Sequence, residues 1–297
     1  MTYKVVLFDL DGTLLDTLED LSEAVNHALR LRGLPEHSRD EYRTMVGHGV
    51  RNLVKKALPD GMQGDEVLID SALADFKAYY TAHIDVHTHP YPGMQELVDR
   101  LHGMGVRLAV ASNKFQEGTE YLVRKFFPGI PFAAVLGNRP GFPLKPDPEI
   151  VGEVLRCTGA RPEDAVLVGD SPTDMKTAAN GGIDAIAVTW GYRPMKGTPG
   201  LTTVDTPEEL LATLTAPRYC QCCGMPLTDD TLLGREADGT LNRDYCKWCY
   251  IDGRFAYTSK DTLLDFLVRH LPNPNKQSDA DRKLFFDAYL STLKHWK

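Results

Sequence analysis

Short apolar runs that end in polar residues recur along the first part of the chain, with amphipathic helical patterns between them. The runs are VVLFD at 5–9, VRLAVASN at 106–113, AVLVGD at 165–170 and AIAVTW at 185–190. Alternation of this kind favours a parallel sheet covered by helices. In such sheets ligands bind at the carboxyl ends of the strands, so we expect Asp9, Ser112 and Asp170 along one edge.

A long helical insertion separates the first two of these runs. Apolar residues recur there at helical spacing in the stretches 18–33, 49–58 and 66–83, which predicts a small helical bundle. The insertion is longer than an ordinary connection, so we interpret it as a cap over the sheet. The predicted core comprises residues 1–16 and 92–215, and the predicted cap comprises residues 17–91.

The bulk composition is that of a globular protein, with 42% hydrophobic and 25% charged residues. A formal net charge of -8 argues against a nucleic acid or an anionic membrane as a partner. Residues 216–297 hold 12 Lys+Arg and 11 Asp+Glu, against 21 and 30 in residues 1–215, so the acidity lies in the first part. The start, MTYKVVLFD, is interpreted as a strand rather than a signal peptide, and we expect a cytoplasmic protein without membrane spans.

The segment DLDGT places two aspartates directly after a buried strand. Neighbouring carboxylates repel each other and resist desolvation, so they need a compensating cation. Asp9 is predicted to attack phosphorus and form an aspartyl-phosphate, while Asp11 protonates the leaving group and later activates water. Gly12, which permits a tight turn, and Thr13, which offers a hydroxyl, are predicted to bind the phosphate. Mg²⁺ is the expected cation. Taken alone, the pentapeptide is also compatible with a plain acidic turn.

Further polar segments follow at the other strand ends. Ser112 and Asn113 offer a hydroxyl and an amide to phosphate oxygens, and Lys145 precedes a helix where it can stabilise phosphoryl charge. In the segment GDSPTDM, Asp170 is predicted as a metal ligand, and Asp174 as a ligand or as a residue that orients one. The predicted magnesium ligands are Asp9, Asp11, Asp170 and Asp174.

Taken in order, these four motifs resemble those of the haloacid dehalogenase superfamily, over residues 1–215. The resemblance implies a Rossmann-like α/β core and identifies the helical insertion with the type-one cap of that superfamily. Dehalogenases need neither a metal nor a second acid, so the presence of Asp11 favours phosphoryl chemistry. The segments at 169–194 and 46–54 most resemble phosphoglycolate phosphatases. The implied activity is Mg²⁺-dependent hydrolysis of small phosphorylated metabolites, with phosphoglycolate as the leading substrate.

The resemblance leaves other activities open. Sugar-phosphate mutases share the four motifs, and phosphonatase-type relatives use a cap lysine, for which Lys55, Lys56 and Lys77 are candidates. Substrate choice belongs to the cap, where Arg51 is predicted to bind a substrate carboxylate bidentately. A solvated helix residue is an equally good interpretation of Arg51.

Two Cys-x-x-Cys pairs near the C-terminus, Cys220 with Cys223 and Cys246 with Cys249, predict a zinc site. Their spacing indicates a tetrahedral four-thiolate centre, which leaves zinc no open position and is therefore structural. Cys222 is a further cysteine that could replace a neighbour as ligand. A redox disulfide and an iron–sulfur cluster are the lesser alternatives.

The cysteine-containing block, residues 216–297, resembles a family of zinc ribbons found in bacterial proteins. Two amphipathic helices are predicted within it, at 259–271 and 279–296. The second has a broad apolar face that we expect to pack inside the protein, formed by Leu284, Phe285, Phe286, Tyr289, Leu290, Leu293 and Trp296. The competing interpretation is a regulatory or binding protein whose zinc ribbon contacts a protein partner. The near-neutral charge of this block argues against nucleic acid.

Overall fold

The computed structural model describes residues 3–297, which divide into a first unit, residues 3–214, and a second unit, residues 215–297. The strands of the first unit are β1 (Val5–Phe8), β2 (Leu15–Asp16), β3 (His89–Pro90), β4 (Arg107–Phe115), β5 (Ala134–Asn138), β6 (Ala165–Gly169), β7 (Asp184–Val188) and β8 (Thr202–Val204). Six of them form a parallel sheet in the order β5-β4-β1-β6-β7-β8. This sheet confirms the predicted α/β core.

The central strand of the sheet is buried on both faces. Every residue of β1 is fully buried, and neighbouring residues belong to different apolar clusters. Val6 and Phe8 pack in one cluster, while Val5 and Leu7 pack in the other. Successive side chains of a strand point to opposite faces, so a continuous apolar run is what a sheet covered on both sides requires.

The helices of the first unit are α1 (Leu18–Arg30), α2 (Arg39–Met45), α3 (Val50–Ala57), α4 (Glu66–His83), α5 (Met94–Gly103), α6 (Gln116–Phe126), α7 (Glu149–Thr158), α8 (Pro172–Asn180) and α9 (Pro207–Thr215), the last of which ends at the unit boundary. Helices α1 to α4 lie within the predicted cap, and α1 packs against α4. Antiparallel pairing of β2 with β3 joins the two points where the chain leaves and re-enters the core. The limits predicted for the cap and core remain predictions.

The second unit contains short hairpins followed by helices. Its elements are β9 (Arg218–Tyr219), β10 (Pro226–Leu227), β11 (Leu233–Arg235), β12 (Leu241–Cys246), β13 (Tyr250–Ile251), β14 (Arg254–Phe255), α10 (Lys260–His270) and α11 (Asp279–Leu290). Leu290 and Leu293 are buried with the cysteines, as expected, but Leu284 is 72% exposed and Phe285 is 63% exposed. Tyr289 is also exposed, at 37%, so the predicted apolar face is wrong at these three positions. Consecutive helix residues are rotated by about 100°, so the run 284–286 cannot all face one core.

No helix within residues 3–297 is long and apolar enough to cross a membrane.

Candidate active site

Three buried carboxylates meet at the carboxyl edge of the sheet. Asp9 follows β1 and Asp170 follows β6, and these strands pair in parallel with Phe8 opposite Val168. Asp174 lies in the first turn of α8. One oxygen from each of the three carboxylates lies within 4.8 Å of the others. The structure thus brings together three of the four predicted magnesium ligands.

Lys145 is the cation at the centre of this cluster. Its side chain is 2% exposed, and its Nζ lies 2.9 Å from Asp9 Oδ1 and 2.7 Å from Asp174 Oδ1. It also donates to the carbonyl oxygen of Ala111 at 2.7 Å. Burial alone would lower the pKa of Lys145, but the carboxylates of Asp174 and Asp9 raise it overall. The lysine is therefore a fixed positive charge.

The two oxygens of Asp9 differ in their surroundings. Oδ1 accepts the backbone N–H of Leu10 at 2.7 Å as well as the ammonium group of Lys145. Oδ2 accepts no hydrogen bond from the part of the chain that the structure describes. Burial and the charge of Asp174 raise the pKa of Asp9 well above its usual range. One oxygen is thus held by two donors, and the other has no donor among residues 3–297.

Asp170 is oriented by the loop after β7. The backbone N–H of Tyr192 donates to Asp170 Oδ2 at 2.6 Å. Burial and the charge of Asp174 raise the pKa of Asp170 to about 7. Gly12 has a φ of +86°, and a Cβ there would lie 2.5 Å from Asp170 Oδ2. The glycine predicted from the tight turn is therefore also required for this close approach.

Asp11 does not belong to the carboxylate cluster, although it lines the same cavity. Its Oδ1 accepts the hydroxyl of Thr17 at 2.7 Å and the Nζ of Lys114 at 3.0 Å. Lys114 Nζ also donates to the hydroxyl of Tyr80, in α4, at 2.6 Å. We did not predict Lys114, although it directly follows Ser112 and Asn113, and that adjacency was the signal that could have identified it.

The cavity extends from the carboxylates to the cap loop, residues 46–49, between α2 and α3. Ser112 lines it and is almost fully buried. Asn113 also lines it, but its amide Nδ2 donates to the carbonyl oxygens of Gly47 and Lys145, and its Oδ1 accepts the backbone N–H of Lys145. Asn113 therefore joins the cap loop to the lysine loop, and its amide is already engaged.

Three residues predicted to bind phosphate or substrate do not line this cavity: Gly12, Thr13 and Arg51. The guanidinium of Arg51 forms ion pairs with Glu66 and Asp70, and its side chain is 46% exposed. Thr13 is fully buried, and its hydroxyl has no hydrogen-bond partner among residues 3–297. The three candidates for the cap lysine of phosphonatase-type relatives do not line the cavity either, and all three are exposed: Lys55, Lys56 and Lys77.

The donor set of the cluster fits a hard divalent cation. Carboxylate oxygens are the ligands that Mg²⁺ prefers. The acids Asp9, Asp170 and Asp174 face the single ammonium group of Lys145, and the pKa values of Asp9 and Asp170 are both raised. Such a cluster carries excess negative charge when it is ionised, and a cation would relieve it.

The cysteines of the second unit converge as the spacing predicts. The Sγ atoms of Cys220, Cys223, Cys246 and Cys249 lie within 4.8 Å of one another. Cys223 and Cys246 are 3.8 Å apart at their sulfurs. Tetrahedral zinc with Zn–S bonds of about 2.3 Å would place neighbouring sulfurs about 3.8 Å apart, whereas a disulfide bond is about 2.05 Å. Cys222 is buried but lies outside this cluster.

Comparisons with known proteins agree with both sites. Residues 6–188 match the family model described as "Haloacid dehalogenase-like hydrolase". Residues 219–297 match the family model described as "Putative zinc ribbon domain".

Curated relatives and solved structures resemble the first part of the chain. The phosphoglycolate phosphatase of Mesorhizobium japonicum is 35% identical over 193 residues, which are 65% of this chain and 85% of the relative. That of Aquifex aeolicus is 31% identical over 208 residues, which are 70% of this chain and 95% of the relative. The crystal structure of a "putative phosphoglycolate phosphatase" from Lactobacillus delbrueckii is 33% identical, with a TM-score of 0.68 over 72% of this chain and 99% of that one. The chain therefore belongs to the haloacid dehalogenase-like hydrolases.

Proposed function

We propose that this chain is a Mg²⁺-dependent phosphatase that hydrolyses phosphoglycolate, or a closely similar metabolite, through an aspartyl-phosphate on Asp9. The observation that carries the proposal is the cluster of Asp9, Asp170 and Asp174 around Lys145 at the strand ends. The names of the relatives support phosphoglycolate as the substrate.

Asp9 carries the nucleophile in this mechanism. Its Oδ1 is held by Leu10 and Lys145, so Oδ2 is the oxygen that attacks phosphorus, while the bond from phosphorus to the ester oxygen breaks. The ammonium group of Lys145 stabilises the negative charge that develops on the phosphoryl oxygens. Asp170 and Asp174 would hold the metal together with Asp9. When bound, Mg²⁺ would neutralise the carboxylates and bind a phosphoryl oxygen.

Asp11 moves the proton in both steps. It gives a proton to the departing alkoxide oxygen and then accepts one from the water that attacks the aspartyl-phosphate. The hydroxyl of Thr17 and the ammonium group of Lys114 fix the direction of its carboxylate. Ser112 supplies a hydroxyl toward the phosphoryl group. The cap loop, tied to Asn113 through the carbonyl of Gly47, excludes bulk water while the acyl phosphate exists.

The cysteine cluster is proposed to hold a structural zinc ion. Four thiolates leave the metal no open position for substrate. The second unit buries few large side chains, and metal binding would supply the stability that its small core lacks. A protein partner for this unit remains the competing proposal for its role.

The test is a phosphate-release assay on purified wild-type and Asp9→Asn protein, with and without Mg²⁺, against phosphorylated metabolites that include phosphoglycolate. We expect Mg²⁺-dependent release from phosphoglycolate that is lost in the variant. Release from other esters alone would discard phosphoglycolate as the substrate but keep the mechanism. Conversion of a sugar phosphate to its isomer without free phosphate would replace the phosphatase by a mutase.

A further inference from the structure

Arg193 is a cation of the active-site cavity that forms no ion pair with any carboxylate of residues 3–297. Its side chain lines the cavity, and its Nη2 atom is buried without a hydrogen-bond partner among residues 3–297. The other two cations of the lining are paired, Lys145 with Asp9 and Lys114 with Asp11. A guanidinium nitrogen removed from water without a partner is costly, so an anion from outside the protein would stabilise it.

The position of Arg193 is fixed from the core side. It directly follows Tyr192, whose backbone N–H donates to Asp170 Oδ2 at 2.6 Å. The hydroxyl of Tyr192 accepts the backbone N–H of Thr17 at 2.8 Å. The backbone of Arg193 therefore lies beside the carboxylate cluster. The loop that carries it is anchored by the two hydrogen bonds of Tyr192, to Asp170 and to Thr17.

The cap loop lies against the guanidinium from the other side. Gly47 has a φ of +115°, and a Cβ there would lie 2.8 Å from Arg193 Nη2. The carbonyl of Gly47 accepts Asn113 Nδ2 at 3.2 Å, so this part of the loop is tied to the core. A side chain at position 47 would displace the guanidinium. The space between cap and core is thus shaped to hold Arg193.

Three cations act on His48, which follows Gly47 in the cap loop. Burial lowers the pKa of His48, and the charges of Arg193, Lys56 and Lys176 lower it further. The positive charges near the cap loop would attract an anion, whereas the carboxylates of Asp9, Asp170 and Asp174 would repel one at the strand ends. The phosphoryl group itself is assigned to Asp9, so the anion at Arg193 is a second negative group of the same molecule.

We propose that Arg193 determines specificity by binding the carboxylate of the substrate, which restricts the preferred substrates to short phosphorylated carboxylic acids. The inference rests on the proposed phosphatase function and adds the residue that distinguishes a carboxylate from an alcohol. A planar guanidinium suits this task because it can donate two parallel hydrogen bonds to a carboxylate.

The experiment compares phosphoglycolate with 2-hydroxyethyl phosphate, which carries an alcohol in place of the carboxylate. The ratio of kcat/KM for the two esters is measured in wild type, Arg193→Gln, Arg193→Lys and Arg51→Ala. Arg193→Gln should lower this ratio by roughly tenfold to a hundredfold, mainly through KM for phosphoglycolate. Arg193→Lys should retain part of the preference, because it keeps the charge but not the bidentate geometry. Arg100→Ala, at an exposed helix position paired with Glu96, is the matched control.

Two results would overturn the proposal. Equal losses on both esters in Arg193→Gln would mean that the arginine binds the phosphoryl group. Loss of the preference in Arg51→Ala, with the preference retained in Arg193→Gln, would assign the carboxylate to the cap arginine instead.

Failure of the proposed substrate can be separated from failure of this inference. If wild type does not hydrolyse phosphoglycolate, the same variants are compared on 3-phosphoglycerate and glycerol 3-phosphate, which differ by the same replacement. A wild-type preference for 3-phosphoglycerate that Arg193→Gln abolishes would support the role of Arg193 without phosphoglycolate. A wild type that prefers the carboxylate in neither pair would overturn it.

Discussion

Lys145 Nζ lies 2.9 Å from Asp9 Oδ1, the oxygen that also accepts the backbone N–H of Leu10. In the proposed mechanism this contact selects which oxygen of Asp9 reacts, because the second oxygen has no protein donor among the described residues. The same ammonium group contacts Asp174, so one cation holds both the proposed nucleophile and a proposed metal ligand.

Replacing Lys145 should therefore affect both stability and activity. Lys145→Met leaves Asp9 and Asp174 buried without their cation, and breaking a buried pair in this way costs about 3–5 kcal/mol. We expect a loss of this size in the free energy of unfolding, measured by urea denaturation in Mg²⁺-free buffer, together with loss of turnover. Lys125→Ala removes a half-exposed pair with Asp85 and should cost less than about 1 kcal/mol. Equal stability of Lys145→Met and wild type would contradict the assigned role.

Asp11→Asn should slow turnover without removing the nucleophile. Loss of a general acid–base group lowers kcat by about 10²–10⁴-fold. The loss in the first step should be smaller with 4-nitrophenyl phosphate, because nitrophenolate leaves without a proton. Rapid-quench measurement of nitrophenolate release and of glycolate release tests this difference, with Asp75→Asn, on the cap, as the control. The same loss with both leaving groups would argue that Asp11 does not protonate the leaving group.

The metal-free protein should lose stability as pH rises through about 7. The pKa of Asp170 is raised to about 7 by burial and by Asp174, above the value of about 3.9 expected in the unfolded chain. The folded state therefore binds the proton more tightly, and the stability contributed by Asp170 is complete below about pH 4 and is lost as pH rises through about 7. The measurement is the difference in free energy of unfolding between wild type and Asp170→Asn, in Mg²⁺-free buffer, between about pH 5 and pH 8.

Addition of Mg²⁺ should reverse this trend. Only ionised carboxylates bind the metal, so stabilisation by Mg²⁺ should grow as pH rises over the same range. The raised pKa of Asp170 would be refuted if the difference in free energy of unfolding between wild type and Asp170→Asn does not change with pH. Stabilisation by Mg²⁺ that does not depend on pH would place the metal elsewhere.

Replacing a cysteine of the four-sulfur cluster should release zinc, whereas replacing a cysteine outside the cluster should not. Cys246→Ser removes one of the four converging sulfurs, so we expect the zinc content per chain to fall and residues 215–297 to lose their fold. Cys222→Ala and the exposed Cys157→Ser should retain one zinc ion per chain. Zinc content is measured by inductively coupled plasma mass spectrometry, and folding by protease resistance of this segment. Loss of zinc in Cys222→Ala would move the ligand assignment to Cys222.

The sequence predicts those site residues that directly follow a strand of the sheet. Asp9 and Asp170 could be placed side by side because each follows a short apolar run, and parallel strands end at one edge of a sheet. Lys114 directly follows Ser112 and Asn113, but its contact with Asp11 joins residues 103 positions apart, so the local sequence does not reveal this partner. Arg193 lies within the segment 169–194 that resembles phosphoglycolate phosphatases, but that resemblance does not indicate that its guanidinium reaches the cavity. The Arg51 prediction relied on the cap sequence alone, which does not reveal that Glu66 and Asp70 face this arginine.

The sequence analysis did not predict the two edge strands of the sheet or one short helix of the cap. The strands β5 and β8 were not predicted, since the first follows a Pro- and Gly-containing loop and the second has only three residues. Helix α2 was also missed, although Ser38 and Glu41 form a capping box whose spacing is legible in the sequence. These elements extend the sheet and the cap but contribute none of the proposed catalytic side chains.

The most direct test of the central claim is to trap the phosphorylated enzyme. Wild-type protein is mixed with phosphoglycolate and Mg²⁺, quenched in acid within the first turnover, digested and analysed by mass spectrometry. The account predicts one added phosphoryl group on the peptide that contains Asp9, and none in Asp9→Asn. In Asp11→Asn, the amount of phosphorylated enzyme divided by the turnover rate should be higher than in wild type. Rapid phosphate release with no phosphorylated Asp9 at any quench time would contradict the account, because water would then attack the substrate directly.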